Sequence, residues 1–481
     1  MICYHFQSNI LYAKHDDHSK TLKTVTPAGH FIKKEIYMQG LDVVVKNGTI
    51  LTMDPENRLL EGGVVGVKKD TIKIVGQMGQ EKITGKKVID ADGGIILPGL
   101  INGHTHAAMS LFRGLADDLP LMDWLNNYIF PVESRMDANF VYVGTLLACT
   151  EMILSGTTTF CDMYLFEDEV AKAAKKAEMR CLVGEVLYDF DSPNYGTIEN
   201  GFQYSESLIN KWKDDPLVSI AVEPHSLFTC SPDLLQKANE LALKYRVPLI
   251  THLAETVNEL NDIKERYGRT PVEHLQALDL IGSHLIADHC VHLTEEEINV
   301  LAQAGVKAIH NPESNMKLAS GIAPIPEMLR KDMIIGLGTD GCASNNNLDL
   351  FTEMDMAAKL HKLNAMDTTV MDAVTVLRMA TIEGAKALGM DAITGSLEEG
   401  KKADIIVIDV KKPHLTPMYN PYSHLVYAAR GNDVAHTIIN GKLVMEGRKL
   451  LGLELDEIMG RAREKSRDVL RWLSDDGAKG G

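Results

Sequence analysis

Eight short apolar runs recur through the middle of this chain, and most of them lead into a side chain that can bind a proton or a metal ion. They are Ile95–Leu100 leading into His104, Thr157–Met163, Cys181–Tyr188, Val218–His225, Pro248–Leu253, Leu285–His289, Val306–His310 and Ile334–Asp340. Amphipathic stretches of helical spacing separate them, a pattern that implies parallel strands joined by helical crossovers. Eight such units make an α/β fold of the (β/α)8 TIM-barrel type the leading expectation, with an open doubly wound sheet as the alternative. In a barrel the chemistry sits at the C-terminal strand ends, and the residues there are His104, His106, Asp162, Glu185, His225, His252, His289, His310 and Asp340. A single histidine of this kind is as well explained by a satisfied structural role as by ligation. Histidine closing five strands of eight is much harder to assign to packing.

The flanks read differently. From 41 to 96, short apolar runs alternate with turn dipeptides such as Asn47-Gly48, Gly62-Gly63 and Gly93-Gly94, the texture of a small antiparallel sheet. The texture returns in Ala403–Asp409 and Thr437–Val444, where Asn440-Gly441 is a strong hairpin signal. The expected organisation is a composite β-sandwich domain from 41–96 and 396–450, a catalytic barrel over 97–395 and a C-terminal helical tail over 451–481. Residues 1–39 form an extension of unassigned role, with Met38 a candidate alternative start.

Composition narrows the partners. The chain has 481 residues, 45% hydrophobic and 24% charged, with no apolar run near the 18 or so residues of a membrane helix. A formal charge of −17 disfavours a nucleic-acid backbone or an anionic membrane and favours a small-molecule substrate. The seven cysteines include no C-x-x-C pair, and the first twenty residues lack a secretory apolar region, so a reducing cytoplasm is expected.

His104-Thr-His106 is the sharpest local element, because residues two apart in extended chain project to the same face and can reach one metal ion. With His252 and Asp340 it supplies three nitrogens and one carboxylate. That set suits one divalent ion, zinc foremost and iron as the alternative, with a position open for water. Gly336-Leu-Gly338-Thr-Asp-Gly341 matches a dinucleotide fingerprint, but such a loop should open directly into a helix and Cys342-Ala-Ser-Asn follows instead. These glycines are better read as shaping a strand and turn around Asp340. There is no G-x-S-x-G elbow, and no H-x-E with P-C-x-x-C of the small zinc deaminases.

Gly-Leu-Ile-Asn-Gly-His-Thr-His (99–106), Val-Glu-Pro-His-Ser (222–226), Thr-His-Leu-Ala-Glu-Thr (251–256), Asp-His-Cys-Val-His-Leu (288–293), His-Asn-Pro-Glu-Ser-Asn (310–315) and Gly-Thr-Asp-Gly (338–341) closely resemble the amidohydrolase superfamily. Within it the chain is similar to the 5′-methylthioadenosine/S-adenosylhomocysteine deaminases and their 5′-deoxyadenosine-deaminating relatives. The resemblance, which runs from about 41 to 450, implies that His104, His106, His252 and Asp340 hold one catalytic metal. It implies that His289 orients the attacking water, Asp340 accepts its proton and Glu255 carries a proton to the base. His225 and Glu133 match positions that hold the purine and the ribose hydroxyls, and Ser344 approaches the base. A homo-oligomer is also implied.

One departure bears on substrate choice. The homocysteine-accepting relatives lead us to expect an arginine near the end of the third strand, where this chain has Glu185. A carboxylate there would repel an amino-acid tail while accepting hydrogen bonds from ribose. The expected substrates are therefore 5′-deoxyadenosine, 5′-methylthioadenosine and adenosine before S-adenosylhomocysteine. The alternatives are an amidohydrolase acting on another nucleobase or an s-triazine, and a non-catalytic scaffold. A binuclear cyclic amidase would carry a lysine after the fourth strand, where His225 stands.

Overall fold

The computed structural model describes residues 40–77, 83–119 and 125–477. The expectations for residues 1–39, Met38 included, fall outside the described residues.

The chain first builds a sheet. Leu41–Leu51 (β1) pairs antiparallel with Leu59–Lys68 (β2), which pairs with Thr71–Gln77 (β3). Gly85–Asp90 (β4) and Ile95–Pro98 (β5) run parallel to β1. The expected first barrel run, Ile95–Leu100, is thus divided. Pro98-Gly99 breaks it, so that Ile95–Pro98 stays in this sheet and Leu100–Thr105 (β6) begins the next. Gly99 fits because a Cβ there would lie 2.1 Å from Thr158 Oγ1.

Thr157–Tyr164 (β7), Arg180–Leu187 (β8), Val218–Ile220 (β9) and Glu223–Pro224 (β10) join β6 in a five-stranded parallel sheet. The run expected as Val218–His225 is therefore two short strands. Leu249–Leu253 (β11), Leu285–His289 (β12), Lys307–His310 (β13) and Ile335–Leu337 (β14) form a four-stranded parallel sheet in that order. Strands β6, β7, β8, β11 and β12 are buried along their whole length, as parallel strands covered on both faces must be. Helices intervene, among them Ala138–Leu154, Glu167–Lys176, Pro232–Tyr245, Val257–Tyr267 and Glu295–Ala304. Four of these five start at side-chain caps, Asp137, Ser231, Thr256 and Thr294, whereas Glu167–Lys176 has none. The two parallel sheets meet at both margins. Val222 bridges to Leu249 and Ser226 to His252 on one side. On the other, the Asp340 amide donates to the His104 carbonyl at 3.0 Å and the Thr339 amide to Asn102 Oδ1 at 3.0 Å.

Near its end the chain returns to the first sheet. Ile405–Ile408 (β15) pairs with β5 and with Val434–Ile439 (β16), which continues through Lys442–Glu446 (β17) to Lys449–Leu450 (β18). Asn440 (φ 50°) and Gly441 (φ 77°) form the tight turn of the β16–β17 hairpin, as their sequence required. Both chain ends thus share one nine-stranded sheet. The helix Leu455–Gly477 then packs Trp472 against Phe140, ring centroids 5.7 Å apart. No helix among the described residues is long and apolar enough to cross a membrane. The six described cysteines are free and buried.

Candidate active site

Strand ends bring the predicted ligands together. Thr105, the last residue of β6, stands between His104 and His106, turns away from them and hydrogen-bonds the Cys161 carbonyl at 2.7 Å and Asp162 Oδ1. His104 and His106 therefore face the same way, with ring centroids 4.9 Å apart, and His252 lies 5.0 Å from His104 and 5.6 Å from His106. One ligating atom from each of these three lies within 4.8 Å of the others, and the same holds for His104, His289 and Asp340. Asp340 Oδ1 stands 3.2 Å from His106 Nε2 and 3.7 Å from His104 Nε2.

The outward nitrogens are held from behind. His252 Nδ1 donates to the His225 carbonyl at 2.7 Å, His106 Nδ1 to the Met163 carbonyl, and His104 Nδ1 lies 3.0 Å from Asp288 Oδ2. Such partners fix the tautomer and leave Nε2 free to ligate. His104 Nε2 is buried and makes no hydrogen bond, an arrangement that costs about 1–3 kcal/mol unless another partner satisfies the nitrogen. A divalent cation fits this donor set. The electrostatics agree: burial pushes the Asp340 carboxyl up, but His106 and the other imidazoles hold it well below the usual range. Burial, reinforced by the neighbouring histidines, pulls His225 down to about 3 and keeps it neutral.

A cavity of about 500 Å³ opens over this cluster. His106, His252, His289, Asp340, Glu255, His225, Glu133 and Ser344 all line it. His289 is anchored through Nδ1 to Asn315 Oδ1 at 2.8 Å, and its ring lies 5.4 Å from those of His104 and His252. Burial lowers its pKa, but Glu255 and Asp340 raise it more, so the net shift is upward. Asp340 Oδ2 accepts from Ser314 at 2.6 Å and from Ser344 at 3.1 Å. Ser320 donates to Glu255 Oε1 at 3.4 Å. His225 Nδ1 is engaged by the Ser226 and Thr229 hydroxyls, and Glu133 Oε1 accepts from Tyr164 at 2.7 Å. Met109, Phe130, Leu165, Val186 and Phe228 give the cavity apolar walls, and Tyr188 stacks on Phe190 with centroids 3.8 Å apart.

Glu185 does not join them. It is absent from the described residues that line the cavity. Its Oε2 accepts the Glu167 amide at 2.9 Å, at the start of the helix Glu167–Lys176, and its Oε1 accepts Asn194 Nδ2 at 2.8 Å. Burial raises it to about 7. The sequence argument that Glu185 repels a charged tail therefore finds no contact with the cavity to support it. The one lysine or arginine among the described lining residues is Arg266, which donates to the Phe228 carbonyl at 3.1 Å and pairs with Asp262 at 2.9 Å. Sequence reasoning missed it, although Asn258, Asp262 and Arg266, four apart after the His252 strand, mark one helix face. His310 pairs with His361, their Nε2 atoms 3.0 Å apart, in a buried contact away from the cavity. Cys342–Asn345 forms a four-residue helix, contrary to the expectation that none follows Gly341. Gly336 and Gly338 are nonetheless spacing residues: a Cβ on Gly338 would lie 2.4 Å from Asn311 Oδ1 and 2.8 Å from the His104 amide.

Residues 95–444 match the model of the amidohydrolase family. The chain belongs to that family. Among its relatives is the 5-methylthioadenosine/S-adenosylhomocysteine deaminase of Syntrophobacter fumaroxidans, 57% identical over 430 residues that cover 89% of this chain and 98% of the relative. The 5′-deoxyadenosine deaminase of Methanosarcina barkeri is 44% identical over 431 residues, covering 89% and 98%. Among solved structures, this amidohydrolase is similar to an adenosine deaminase from Xanthomonas campestris with bound zinc, with a TM-score of 0.88 and 37% identity over 90% of this chain and 99% of that one.

Proposed function

We propose that this amidohydrolase hydrolytically deaminates adenine nucleosides, releasing ammonia and the inosine analogue, with 5′-deoxyadenosine, 5′-methylthioadenosine and adenosine as substrates. The observation that carries the reading is the convergence of His106, His252 and Asp340 with Glu255, His225 and Glu133 on one cavity. The names of the relatives supply the substrate class.

His104, His106, His252 and Asp340 are the ligands of one divalent metal, zinc foremost and iron the alternative. Bound there, the ion supplies Lewis acidity that makes water acidic near neutral pH. The remaining work falls to the protein. Asp340 takes the proton of the attacking water, and Glu255 delivers a proton to N1 of adenine, whose ring is otherwise too electron-rich at C6 to be attacked. The Asp340 proton then passes to the amino group, which leaves C6 as ammonia, while the new C6 hydroxyl returns its proton to Glu255. His289, held by Asn315, stabilises the tetrahedral centre at C6. His225 and Ser344 approach the base, and Glu133 binds the ribose hydroxyls. The Arg266–Asp262 pair at the cavity wall favours the charged tail of S-adenosylhomocysteine by a modest margin.

We infer further that the two parallel sheets close into a (β/α)8 barrel, supported by the contacts at both margins. The strands of both chain ends make the small sandwich domain, supported by a shared core that includes Val45, Ile50, Val65, Ile405 and Ile438. Six free, buried cysteines accord with a reducing cytoplasm.

The deciding experiment follows adenine ultraviolet absorbance and ammonia release when metal-loaded protein meets 5′-deoxyadenosine, 5′-methylthioadenosine, adenosine and S-adenosylhomocysteine in parallel. Turnover of the first three supports the reading. Silence on all four, from protein carrying one metal per chain, overturns it in favour of another nucleobase or an s-triazine.

A further inference from the structure

Three helices of this chain begin with the same signature, Thr-x-x-Glu: Thr256 to Glu259, Thr270 to Glu273 and Thr294 to Glu297. In the second and third the glutamate returns to the amide of its own cap threonine, at 2.8 Å in each case, which is the ordinary capping box. The first is different. Glu259 passes over Thr256 and grips the two preceding peptides, Oε1 accepting the Ala254 amide at 2.9 Å and Oε2 the Glu255 amide at 2.8 Å.

The backbone it grips is strained. Ala254 has φ 51°, in the left-handed region, which costs a residue bearing a Cβ roughly 1–2 kcal/mol. Glycine would adopt that conformation freely, whereas alanine persists there only if its surroundings impose it. Glu259 is 3% exposed and is itself fixed, its amide donating to Thr256 Oγ1 at 3.2 Å. From the opposite side the Ala254 carbonyl accepts the His292 amide at 2.9 Å, which ties the same turn to the segment just after His289. A strained turn clamped from two sides lies directly between a proposed metal ligand, His252, and the carboxyl that Proposed function makes the proton carrier, Glu255.

We infer that Glu259 is a positioning residue for deamination: its two-point grip on the Ala254–Glu255 turn sets where the Glu255 carboxyl stands over the cavity. Glu259 also lines the cavity, but each of its oxygens accepts a backbone amide of the Ala254–Glu255 turn, so its role is exerted through Glu255. The inference rests on the assignment of Glu255 as proton carrier. A displacement of order 1 Å in a catalytic group can cost about a hundredfold in rate. A glutamine at 259 offers one acceptor oxygen and turns an NH2 group towards the other amide, so it cannot hold both.

The test compares metal-loaded Glu259→Gln and Glu255→Gln enzymes with the native enzyme on 5′-methylthioadenosine. For Glu259→Gln the expected kcat falls by about ten- to a hundredfold, while KM and metal per chain stay within about twofold. The amides of Ala254 and Glu255 should exchange with deuterium faster, with exchange in β11 and β12 unchanged. A kcat within about twofold of native, or loss of KM and metal in step with kcat, overturns the inference. Should Glu259→Gln not accumulate folded, Ala254→Gly/Glu259→Gln removes the left-handed penalty and carries the same kcat test. An active Glu255→Gln enzyme would instead sink the role given to Glu255, whereas an inactive Glu255→Gln beside a fully active Glu259→Gln would sink only the role given to Glu259.

Discussion

Tyr164 donates its hydroxyl to Glu133 Oε1 at 2.7 Å, and both side chains line the cavity above the histidine cluster. Burial raises the Glu133 carboxyl and the Tyr164 hydrogen bond opposes that rise, so the tyrosine both orients the group and favours its charged form. A carboxylate with one oxygen so engaged can still accept from a vicinal diol through the other. A hydrogen bond to a charged acceptor contributes about 1.5–3 kcal/mol. Glu133→Gln is therefore expected to lower kcat/KM for adenosine by about ten- to a hundredfold and to change that for 2′,3′-dideoxyadenosine little. Equal losses on the two substrates would remove Glu133 from the ribose.

Metal retention and turnover should separate cleanly at two residues three apart. Glu255→Gln is expected to keep one metal per chain and to lose about 10²- to 10⁴-fold in kcat, the usual worth of a positioned acid or base. His252→Ala, which removes a proposed ligand whose Nδ1 is already fixed by the His225 carbonyl, should lose both metal and activity. Elemental analysis beside steady-state kinetics checks both. Chelation of the native enzyme should abolish activity and lower Tm, since a bound ion stabilises the folded state by mass action, and added zinc or iron should restore both.

The clustering of His104, His106, His252 and Asp340 was legible because its signal is local: H-x-H in extended chain, and an apolar run ending around His252 or just short of Asp340, need only strand periodicity to be read. The hairpin at Asn440-Gly441 was legible for the same reason. What escaped was decided by contacts far apart in sequence. Whether Glu185 faces substrate or the amide of Glu167 depends on where the helix Glu167–Lys176 begins in space, which no pattern around Glu185 encodes. Likewise Ile95–Leu100 reads as one strand until Pro98-Gly99 must pass Thr158, a residue far along the chain. The three Thr-x-x-Glu signatures are alike in sequence and differ only in which amides lie within reach.

Arg266 should govern one substrate and spare the rest. S-Adenosylhomocysteine carries both a carboxylate and an ammonium on its 5′ substituent, and Arg266 beside Asp262 offers a matching pair at the cavity wall. The guanidinium is half exposed, so its worth is modest, about 1 kcal/mol or less for a solvent-screened contact. Arg266→Ala is expected to lower kcat/KM for S-adenosylhomocysteine by about two- to fivefold and to leave 5′-methylthioadenosine and 5′-deoxyadenosine unchanged. A uniform loss on all three would mean that the arginine acts through its hold on the Phe228 carbonyl.

Glu185 should reveal itself in stability and not in catalysis. Burial raises its pKa from 4.5 to about 7 against the hydrogen bonds from the Glu167 amide, Asn194 and the Phe166 amide, which favour the ion. Between those values the folded chain holds a proton that the unfolded chain releases, so stability falls as pH rises through the window, by roughly 3 kcal/mol in full. Glu259, also raised to about 7 by burial, contributes a fall of the same sign. A neutral glutamine at 185 still offers one acceptor, so Glu185→Gln should remove this group's share of the dependence, and its Tm relative to the native protein should rise as pH climbs from about 4.5 to 7. Because Glu185 is not among the described lining residues, kcat/KM should stay within about twofold on every substrate, S-adenosylhomocysteine included. A selective gain on S-adenosylhomocysteine in this variant would mean that the carboxylate acts on the substrate after all, and the charge argument would return to Glu185 from Arg266.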